Sequence, residues 1–379
     1  MKNGKNLILK NAILEIMIER INISNYKSIC NAEIDLKAIN ILIGPNGAGK
    51  SNFISFFELT RNMLEQRLGR YLLEHGGIDS MLYRGRKISD NISALIDFEN
   101  CNAFAFKLKP TQGPKAYIEY TKDFFNNRKL KDKKYEESWN PHTWDVNVEE
   151  SAILTNPQWR AGYIRSFLKS FTVYHFHDTS LSSPMRQLSR IGDNEYLRHD
   201  GSNLAAYLFK LKNTDIKSFN LIEGTIRSIA PYFKEFKLIP NKIMEGFIGL
   251  EWEERDTDTY MDATNFSDGT LRFIALATLL LQPDSPKTII IDEPELGLHP
   301  AAIIKLGALI KRTAIRTQII IATQSIELIN NFSINDLLVV GRDENQSTFH
   351  RLNEEDFSEW RDAYSVGELW EKNIIGGRP

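Results

Sequence analysis

Thr288-Ile289-Ile290-Ile291-Asp292-Glu293-Pro294 is the stretch that decides the fold of this chain. Its β-branched run predicts a buried parallel strand that ends in two adjacent carboxylates, at the sheet edge where α/β proteins hold their ligands. Upstream, Ser267-Asp268-Gly269-Thr270-Leu271-Arg272 opens an almost wholly apolar helix that only a buried position would tolerate. Further upstream, Gly44-Pro45-Asn46-Gly47-Ala48-Gly49-Lys50-Ser51 matches G-x-x-x-x-G-K-[ST]. Together the three segments predict a nucleotide-binding α/β core.

The glycine-rich loop has the context that a phosphate-binding loop requires. Residues 39–43 form a short apolar run typical of a buried strand, and a helical pattern begins at Ser51. Backbone amides of such a loop cradle phosphates, Lys50 places positive charge near the β and γ phosphates, and Ser51 is positioned to ligate Mg²⁺. A plain glycine turn is the weaker alternative in this context. The predicted nucleotide-binding residues here are Asn46, Gly47, Ala48, Gly49, Lys50, Ser51 and Asn52.

The two carboxylates at the end of the decisive strand have distinct predicted roles. Asp292 is expected to hold Mg²⁺ together with Ser51, directly or through water. Glu293 is placed to orient or deprotonate an attacking water. Acidic residues at a strand end can also cap the next helix, but beside a phosphate loop we favour hydrolysis as well as nucleotide binding.

Composition bounds the class of protein. The chain has 379 residues, of which 42% are hydrophobic and 25% charged, which is ordinary globular composition. The sequence contains neither an apolar stretch of about 18 residues nor a signal-peptide pattern, so we expect no membrane association and a cytoplasmic location. Cys30 and Cys101 lack metal-ligand spacing. A net charge of −2 means that any DNA contact needs a local basic surface.

Taken in order, the three motifs resemble the ABC-type ATPases of the RecF, SMC and OLD-like group. Alone, Ser267 to Thr270 would be interpreted as a helix cap. In the group that it resembles, the signature helix of one subunit points its N-terminus at the γ-phosphate held by another subunit, because helix N-termini bind anions. The resemblance therefore assigns Ser267, Gly269 and Thr270 to a nucleotide in trans. It implies ATP and Mg²⁺ as cofactors and a homodimer or higher homo-oligomer.

The chain is similar in particular to compact bacterial ATPases of this group that lack long coiled coils. The segments 173–180, 200–204, 294–300 and 367–379 carry this similarity, which covers nearly the whole chain from Met17. It implies an α/β fold, an ABC-type P-loop ATPase head with a mixed sheet core and a largely helical insertion. The expected division is an N-terminal extension over 1–16, a head over 17–125 and 255–379, and a mainly helical insertion over 126–254.

Two departures from the common ABC pattern bear on turnover. Asp268 and Thr270 replace the glycine and glutamine of the transporter signature, which places a carboxylate near the expected γ-phosphate. In Ile319-Ile320-Ile321-Ala322-Thr323-Gln324-Ser325 the position of the switch histidine is Gln324. Glutamine can hydrogen-bond a phosphate or a water but carries no proton charge at neutral pH. We expect Glu293 and Gln324 to act together in slow catalysis.

Weaker signals leave alternatives open. Lys27, in Asn25-Tyr26-Lys27-Ser28, matches a basic position that lies close to the nucleotide in related heads, and an exposed turn lysine is nearly as good an interpretation. His175 and His177 alternate on a predicted strand, where packing is favoured over a metal site. The basic cluster within 128–134 is interpreted as a solvated loop ahead of a nucleic-acid contact.

The functional prediction is a conformational switch that dimerises around ATP. The resemblance suggests anti-phage defence or DNA repair, with a separately encoded nuclease-type effector because the sequence shows no nuclease motif. One alternative is a nucleotide-gated module that restrains a partner, with hydrolysis incidental. Another is a direct ATP-dependent DNA clamp. A transporter subunit is the least favoured interpretation.

Overall fold

The computed structural model describes residues 17–98, 102–125, 140–257, 259–361 and 363–378. Its strands are β1 (Ile18–Tyr26), β2 (Ile29–Asp35), β3 (Ile39–Ile43), β4 (Ile92–Phe98), β5 (Asn102–Pro110), β6 (Ala116–Phe125), β7 (Asn140–Val148), β8 (Phe171–Tyr174), β9 (Ser189–Arg190), β10 (Phe233–Phe236), β11 (Phe247–Ile248), β12 (Trp252–Glu254), β13 (Tyr260–Met261), β14 (Thr288–Asp292), β15 (Gln318–Ala322), β16 (Leu337–Asp343) and β17 (Gln346–Arg351). Its α-helices are α1 (Lys50–Leu64), α2 (Leu68–Glu74), α3 (Ile78–Met81), α4 (Trp159–Lys169), α5 (Leu204–Thr214), α6 (Ile216–Ile229), α7 (Asp268–Leu281), α8 (Pro300–Thr313), α9 (Ile326–Ile329), α10 (Ser358–Arg361) and α11 (Val366–Glu371). The predicted extension over 1–16 and the basic cluster within 128–134 lie outside the described residues.

A six-stranded sheet in the order β17-β16-β3-β15-β14-β8 forms the centre of the molecule. Its neighbours from β16 to β8 pair in parallel, and β17 pairs antiparallel with β16. Both faces are covered: on β14, Ile289 and Ile291 belong to one hydrophobic cluster and Ile290 to the other. Burial on both faces explains why these strands are continuous apolar runs. The predicted mixed sheet core is confirmed.

A second six-stranded sheet, in the order β2-β1-β4-β5-β6-β7, is antiparallel throughout. It contains the hairpin formed by β1 and β2. Helix α1 lies between the two sheets. Its Phe56 stacks on Phe106 of β5 with ring centroids 6.0 Å apart, and its Phe57 meets Phe171 of β8 edge-to-face at 5.5 Å. The helix that follows the phosphate loop is therefore held from two sides.

Of the predicted mainly helical insertion over 126–254, the described residues are helical only in part. Helices α4, α5 and α6 agree with the prediction, but residues 171–174 form β8, and 175–203 contain β9 and a single 3-10 turn with no α-helix. The strand forms because 171–174 pair in parallel with β14, a tertiary contact that local periodicity does not encode. The division of the chain into a head and an insertion stays a prediction.

Helix α7 is the buried helix that its apolar sequence predicts. Every residue from Thr270 to Leu281 is buried. The single cation within it, Arg272, is therefore surrounded by protein and must find its partners there. Over the residues described, no helix combines the length and the apolar character that crossing a bilayer would require.

Gln318, the first residue of β15, fastens the antiparallel lobe to the central sheet. Its side chain is 1% exposed. The amide nitrogen donates to the carbonyl oxygens of Ile18 (2.8 Å) and Lys37 (2.9 Å), and the amide oxygen accepts from the backbone N–H of Ile18 at 3.1 Å. One side chain thus satisfies backbone groups at the start of β1 and just after the end of β2, at the open end of this hairpin.

Replacing this amide tests the fastening. Gln318→Leu should lower the free energy of unfolding by about 2–4 kcal/mol, because it leaves buried backbone donors and acceptors without partners. Denaturant unfolding measures the change. Gln346→Leu, at the partly exposed first residue of β17, is the control and should stay within about 0.5 kcal/mol of the parent. Equal effects of the two substitutions would contradict the assignment.

Candidate functional site

The glycine-rich loop over 44–49 owes its shape to β16 and β17 behind it. Gly44 and Gly49 have φ angles of 155° and 117°. A Cβ at Gly44 would lie 2.1 Å from the carbonyl oxygen of Val340, and one at Gly49 would lie 2.0 Å from Ser347 Oγ. Ser347 Oγ also donates to the carbonyl of Ala48. The loop is therefore pressed against the sheet at both ends, which requires glycine there.

Lys50, the first residue of α1, points back into the loop. Its ammonium donates to the carbonyl oxygens of Gly44 (2.6 Å) and Pro45 (3.1 Å). Burial lowers the pKa of Lys50, while the nearby carboxylates of Glu293 and Asp292 oppose that shift. The site therefore holds a partly desolvated cation at the mouth of the loop, in the position that the sequence predicts.

Ser51 and Asp292 meet beside this lysine. Burial raises the pKa of Asp292, a hydrogen bond with the Ser51 side chain lowers it, and the Glu293 carboxylate raises it again. A hydroxyl and a carboxylate in contact supply the oxygen donors that Mg²⁺ prefers. The two residues predicted to hold the metal therefore fit that group.

Gln324 joins the loop to the carboxylate predicted as the base. Its Nε2 donates to Asn46 Oδ1 at 2.7 Å and to Glu293 Oε1 at 3.0 Å. Glu293 has a φ of 40°, in the left-handed region that a glutamate rarely adopts, and its N–H donates to the carbonyl of Ala322 at 2.8 Å. Such backbone strain costs on the order of 1–3 kcal/mol and clusters at functional sites.

Glu295 positions the segment that carries Gln324, a role that the sequence did not reveal. Its side chain is 9% exposed, and its Oε1 accepts from Thr323 Oγ1 at 2.5 Å and from the backbone N–H of Gln324 at 3.4 Å. Burial raises the pKa of Glu295, and the hydrogen bond from Thr323 opposes the shift. The loop after β14 and the loop after β15 are thus bound to each other.

The signature segment caps α7 and packs against the loop after β14. Ser267 Oγ accepts from the N–H of Thr270 at 3.2 Å and donates to Thr270 Oγ1 at 2.9 Å. The hydroxyl groups of Tyr232 and Thr270 lie 3.0 Å apart. A Cβ at Gly269 would lie 2.2 Å from the carbonyl oxygen of Gly297. The start of α7 is therefore fixed by its own cap, by Tyr232 and by the loop after β14.

Arg186 neutralises the unusual carboxylate of the signature. Its side chain is 4% exposed, whereas that of Asp268 is 68% exposed, and Nη2 of the arginine donates to Asp268 Oδ1 at 2.9 Å. The same guanidinium donates to the carbonyl oxygens of Thr179 (3.0 Å), Phe266 (3.1 Å) and Ala263. Asp268 therefore presents less negative charge at the start of α7 than its sequence position suggests.

Arg272 binds the start of α7 to two neighbouring loops. Its Nε donates to the carbonyl of Phe176 and its Nη2 to that of His177, both at 2.9 Å, and Nη1 donates to Leu296. Because burial of a guanidinium is costly without partners, these carbonyls explain how an arginine persists in an apolar helix. The signature, the segment after β8 and the loop after β14 form one connected unit.

His175 lies at the same sheet edge as Asp292, a position that the sequence analysis did not predict. The predicted strand carrying His175 and His177 ends at Tyr174, which pairs with Ile291, so His175 is level with Asp292. The alternating-strand prediction for the two histidines is wrong for this reason. A polar residue directly after a strand parallel to β14 is the signal that would have found it.

Glu58 of α1 orients this imidazole. His175 Nε2 lies 2.5 Å from Glu58 Oε1. The hydrogen bond and charge of Glu58 raise the pKa of His175 against the effect of burial. Burial raises the pKa of Glu58, but the hydrogen bond of His175 and the charges of His175, His75 and Lys27 together outweigh it, and the net shift is downward. The pair is therefore a charged contact between α1 and the segment after β8.

Lys27 lines a cavity of about 860 Å³ beside the loop, bordered by Gly47. Its ammonium donates to Ser55 Oγ at 2.8 Å, and burial lowers the pKa of Lys27. Arg84 and Arg342 add positive charge to the cavity lining. Asn52 also lines it and donates to Ser28 Oγ at 2.7 Å. The structure thus brings Lys27 and Asn52 together next to the loop.

The contact of Gly269 with Gly297 generates a matched pair of substitutions. Gly269→Ala should lower the free energy of unfolding by about 1–3 kcal/mol, because its methyl group overlaps a backbone carbonyl. Gly224→Ala, in α6 with open space around the new methyl group, should be neutral or stabilising by up to about 1 kcal/mol. Denaturant unfolding of both variants measures this. Similar changes in the two would contradict the close contact.

The Glu58–His175 pair predicts a pH-dependent stability. Since the folded pKa of His175 is raised, its contribution is complete below the ordinary histidine pKa and disappears as pH rises through the raised value. Since the folded pKa of Glu58 is lowered, its contribution disappears only as pH falls through that lower value. The stability lost in Glu58→Gln should therefore be largest in mildly acidic solution and shrink toward about pH 9.

Denaturant unfolding from about pH 5 to about pH 9 checks this. Glu74→Gln is the control, because the partner of Glu74 is Arg70, at 2.7 Å, which does not titrate in that range. Its effect should be independent of pH. A constant difference between Glu58→Gln and the parent protein would contradict the charged pair.

Known proteins resemble this chain in sequence and in structure. A family model described as "AAA domain, putative AbiEii toxin, Type IV TA system" matches residues 39–330. The Old nuclease of Escherichia phage P2 is 25% identical over 369 residues, which cover 88% of this chain and 60% of that protein. The chain therefore spans less than two thirds of the length of this curated relative.

Solved structures share the fold at low sequence identity. The SMC head bound to the C-winged helix domain of ScpA superposes with a TM-score of 0.60 at 14% identity, covering 90% of this chain and 99% of the other. The Smc head domain with an extended coiled coil, bound to the C-terminal domain of ScpA from Pyrococcus furiosus, gives 0.51 at 14% identity, covering 91% and 98%. The family match extends from the first residue of β3 to just beyond α9 and contains the loop, the signature and both carboxylates. The chain belongs to the family described as "AAA domain, putative AbiEii toxin, Type IV TA system", and it shares the fold of SMC head domains.

Proposed function

We propose that this chain hydrolyses ATP at a composite site that is completed by a second copy of itself. The observation that carries the proposal is the position of Gln324, whose amide contacts both the carboxylate of Glu293 and Asn46 of the phosphate loop. The carboxylate proposed as the base, an amide that can orient it and the phosphate loop are thereby joined by hydrogen bonds. Such preorganisation is what water activation beside a phosphate requires.

Within one chain, the residues divide the substrate between them. The loop amides and Lys50 are suited to the β and γ phosphates, and the cavity beside Lys27 is large enough for a nucleoside. Asn52 borders that cavity next to the loop. Ser51 and Asp292 would hold Mg²⁺, which neutralises charge on the phosphate oxygens when it is bound.

Glu293 is proposed to accept a proton from the attacking water. Its carboxylate is already oriented by the Gln324 amide, and its backbone is held in a strained conformation. Gln324 can donate a hydrogen bond to a phosphate oxygen or to Glu293 but cannot carry a proton charge. Turnover is therefore expected to be slow.

The signature would act on a nucleotide held by the second copy. Ser267, Gly269 and Thr270 form the N-terminus of α7, where backbone N–H groups favour an anion. Their partners include Tyr232 and Gly297, neither of which belongs to the phosphate loop. Arg186 supports this role because it offsets the charge of Asp268. A homodimer closed around ATP is the assembly that uses both surfaces.

The cellular role is inferred from the relatives. We infer a nucleotide-dependent switch in anti-phage defence or DNA repair, read by a separately encoded nuclease-type effector. The similarity to the Old nuclease supports it, and the residues matched cover only 60% of that protein. Direct binding to DNA and a cytoplasmic location stay predictions.

Glu293→Gln tests the proposed chemistry. The variant should release phosphate from ATP at least about 10²-fold more slowly, because it retains the hydrogen-bonding shape of the base without its basicity. In light scattering with ATP and Mg²⁺, its mass should shift from 43.6 kDa to about twice that value. The mass should stay monomeric without nucleotide.

Ser267→Arg is the companion variant, because it blocks the signature and leaves the phosphate loop intact. It should bind ATP with unchanged affinity, remain monomeric and lose hydrolysis. A Glu293→Gln protein that hydrolyses ATP at the parent rate would overturn the assignment of the base. If Glu293→Gln dimerises and retains cellular function, the nucleotide-gated binding module is the correct alternative.

A further inference from the structure

Residues 366–378, the C-terminal strap, connect helix α11 to the start of the phosphate loop. Trp370 of α11 is 1% exposed, and its indole N–H donates to the carbonyl oxygen of Gly377 at 2.7 Å. A Cβ on Gly377 would lie 3.6 Å from the Cα of Gly44 and 3.8 Å from the carbonyl oxygen of Ile43. The strap therefore contacts the residue at which the loop begins.

The conformation of the strap is specific to this docked position. Asn373, Gly376 and Gly377 have φ angles of 55°, 77° and 68°, all in the left-handed region. At Gly377 a Cβ would also lie 2.6 Å from Val339 Cγ1, so both the backbone and the space require glycine. Ile375 is 4% exposed between these turns. A segment without a docking role would not need such a constrained path.

The other end of the strap contacts the helix that follows Gln324. The N–H of Gly367 donates to Asn330 Oδ1 at 2.7 Å, and a Cβ there would lie 2.5 Å from Ile326 Cγ2. Ile326 opens α9, whose cap is Ser325, the residue after Gln324. The strap thus touches the supports of both partners in the Gln324–Asn46 hydrogen bond.

We propose that the strap is a positioning element of the nucleotide site, with Trp370 and Gly377 as its positioning residues. It holds the base of the phosphate loop and the start of α9 at a fixed separation, which keeps Gln324 on Asn46 and Glu293. The proposal rests on the proposed ATPase function. If docking of the strap strengthens nucleotide binding, nucleotide binding strengthens docking by the same factor.

Gly377→Ala is the direct test, because the added methyl group meets Val339 and pushes the strap away from Gly44. Its dissociation constant for a fluorescent, slowly hydrolysed ATP analogue should rise about tenfold, within the usual range of coupling between sites. The rate of ATP hydrolysis at saturation should fall as well. Gly246→Ala is the matched control, since Gly246 has a φ of 81° and open space around it. It imposes the same backbone strain away from the site and should leave both quantities unchanged.

Hydrogen exchange supplies a readout that a merely structural strap would not move. In the parent protein the analogue should slow exchange of the amides over 373–378, and Trp370→Phe, which lacks the indole donor, should abolish that protection. Exchange rates that are equal with and without the analogue in the parent protein would overturn the proposal. The comparison of exchange rates in the parent protein does not depend on the folding of any variant.

The possible outcomes distinguish a failure of the strap proposal from a failure of the proposed ATPase function. Failure of the parent protein to bind the analogue would overturn both. Binding and hydrolysis by the parent, with Gly377→Ala indistinguishable from Gly246→Ala, would overturn the strap alone. Weakened binding in Gly377→Ala together with nucleotide-dependent protection of 373–378 would establish it.

Discussion

Parallel pairing of β3, β15 and β14 is the constraint on which the rest of the structure depends. The register places Ile41 opposite Ile321, and Ile321 opposite Ile291, so the three strands end level with one another. The chain leaves each strand at the same edge, and the loop, the carboxylates and Gln324 must therefore meet there. Burial of both sheet faces holds these strands between two hydrophobic clusters.

Two buried arginines connect the loops that leave the central sheet at this edge. Arg272 and Arg186 donate hydrogen bonds to backbone carbonyls. The carbonyls of Phe176, His177 and Thr179 among them belong to the segment that leaves the central sheet after β8. A guanidinium offers five N–H donors in a rigid plane, which suits it to several loops at once. Asp268 accepts the one bond of Arg186 that faces solvent. The signature is consequently attached to the segment after β8, in which His175 is level with Asp292.

The periphery of the molecule is also arranged around the loop. Gln318 fastens the antiparallel lobe, Glu58 of α1 holds His175, and the strap lies beside Gly44. Each contact joins a peripheral element to one that carries residues of the candidate site. A change at any of these supports is expected to alter the geometry of the site, since closely packed interiors transmit displacement.

The sequence alone determined the phosphate loop, the strand that ends in Asp292 and Glu293, the cap of α7 and the position of Gln324. Each of these depends on a few neighbouring residues whose backbone geometry is encoded locally, by glycine spacing, β-branched runs and capping side chains. Only the tertiary structure decided that Glu58 contacts His175, 117 residues away, that Arg186 contacts Asp268, 82 residues away, and that Gly377 lies on Gly44. Such contacts follow from how helices and strands pack, and single-sequence periodicity carries no record of which distant side chains the packing brings together.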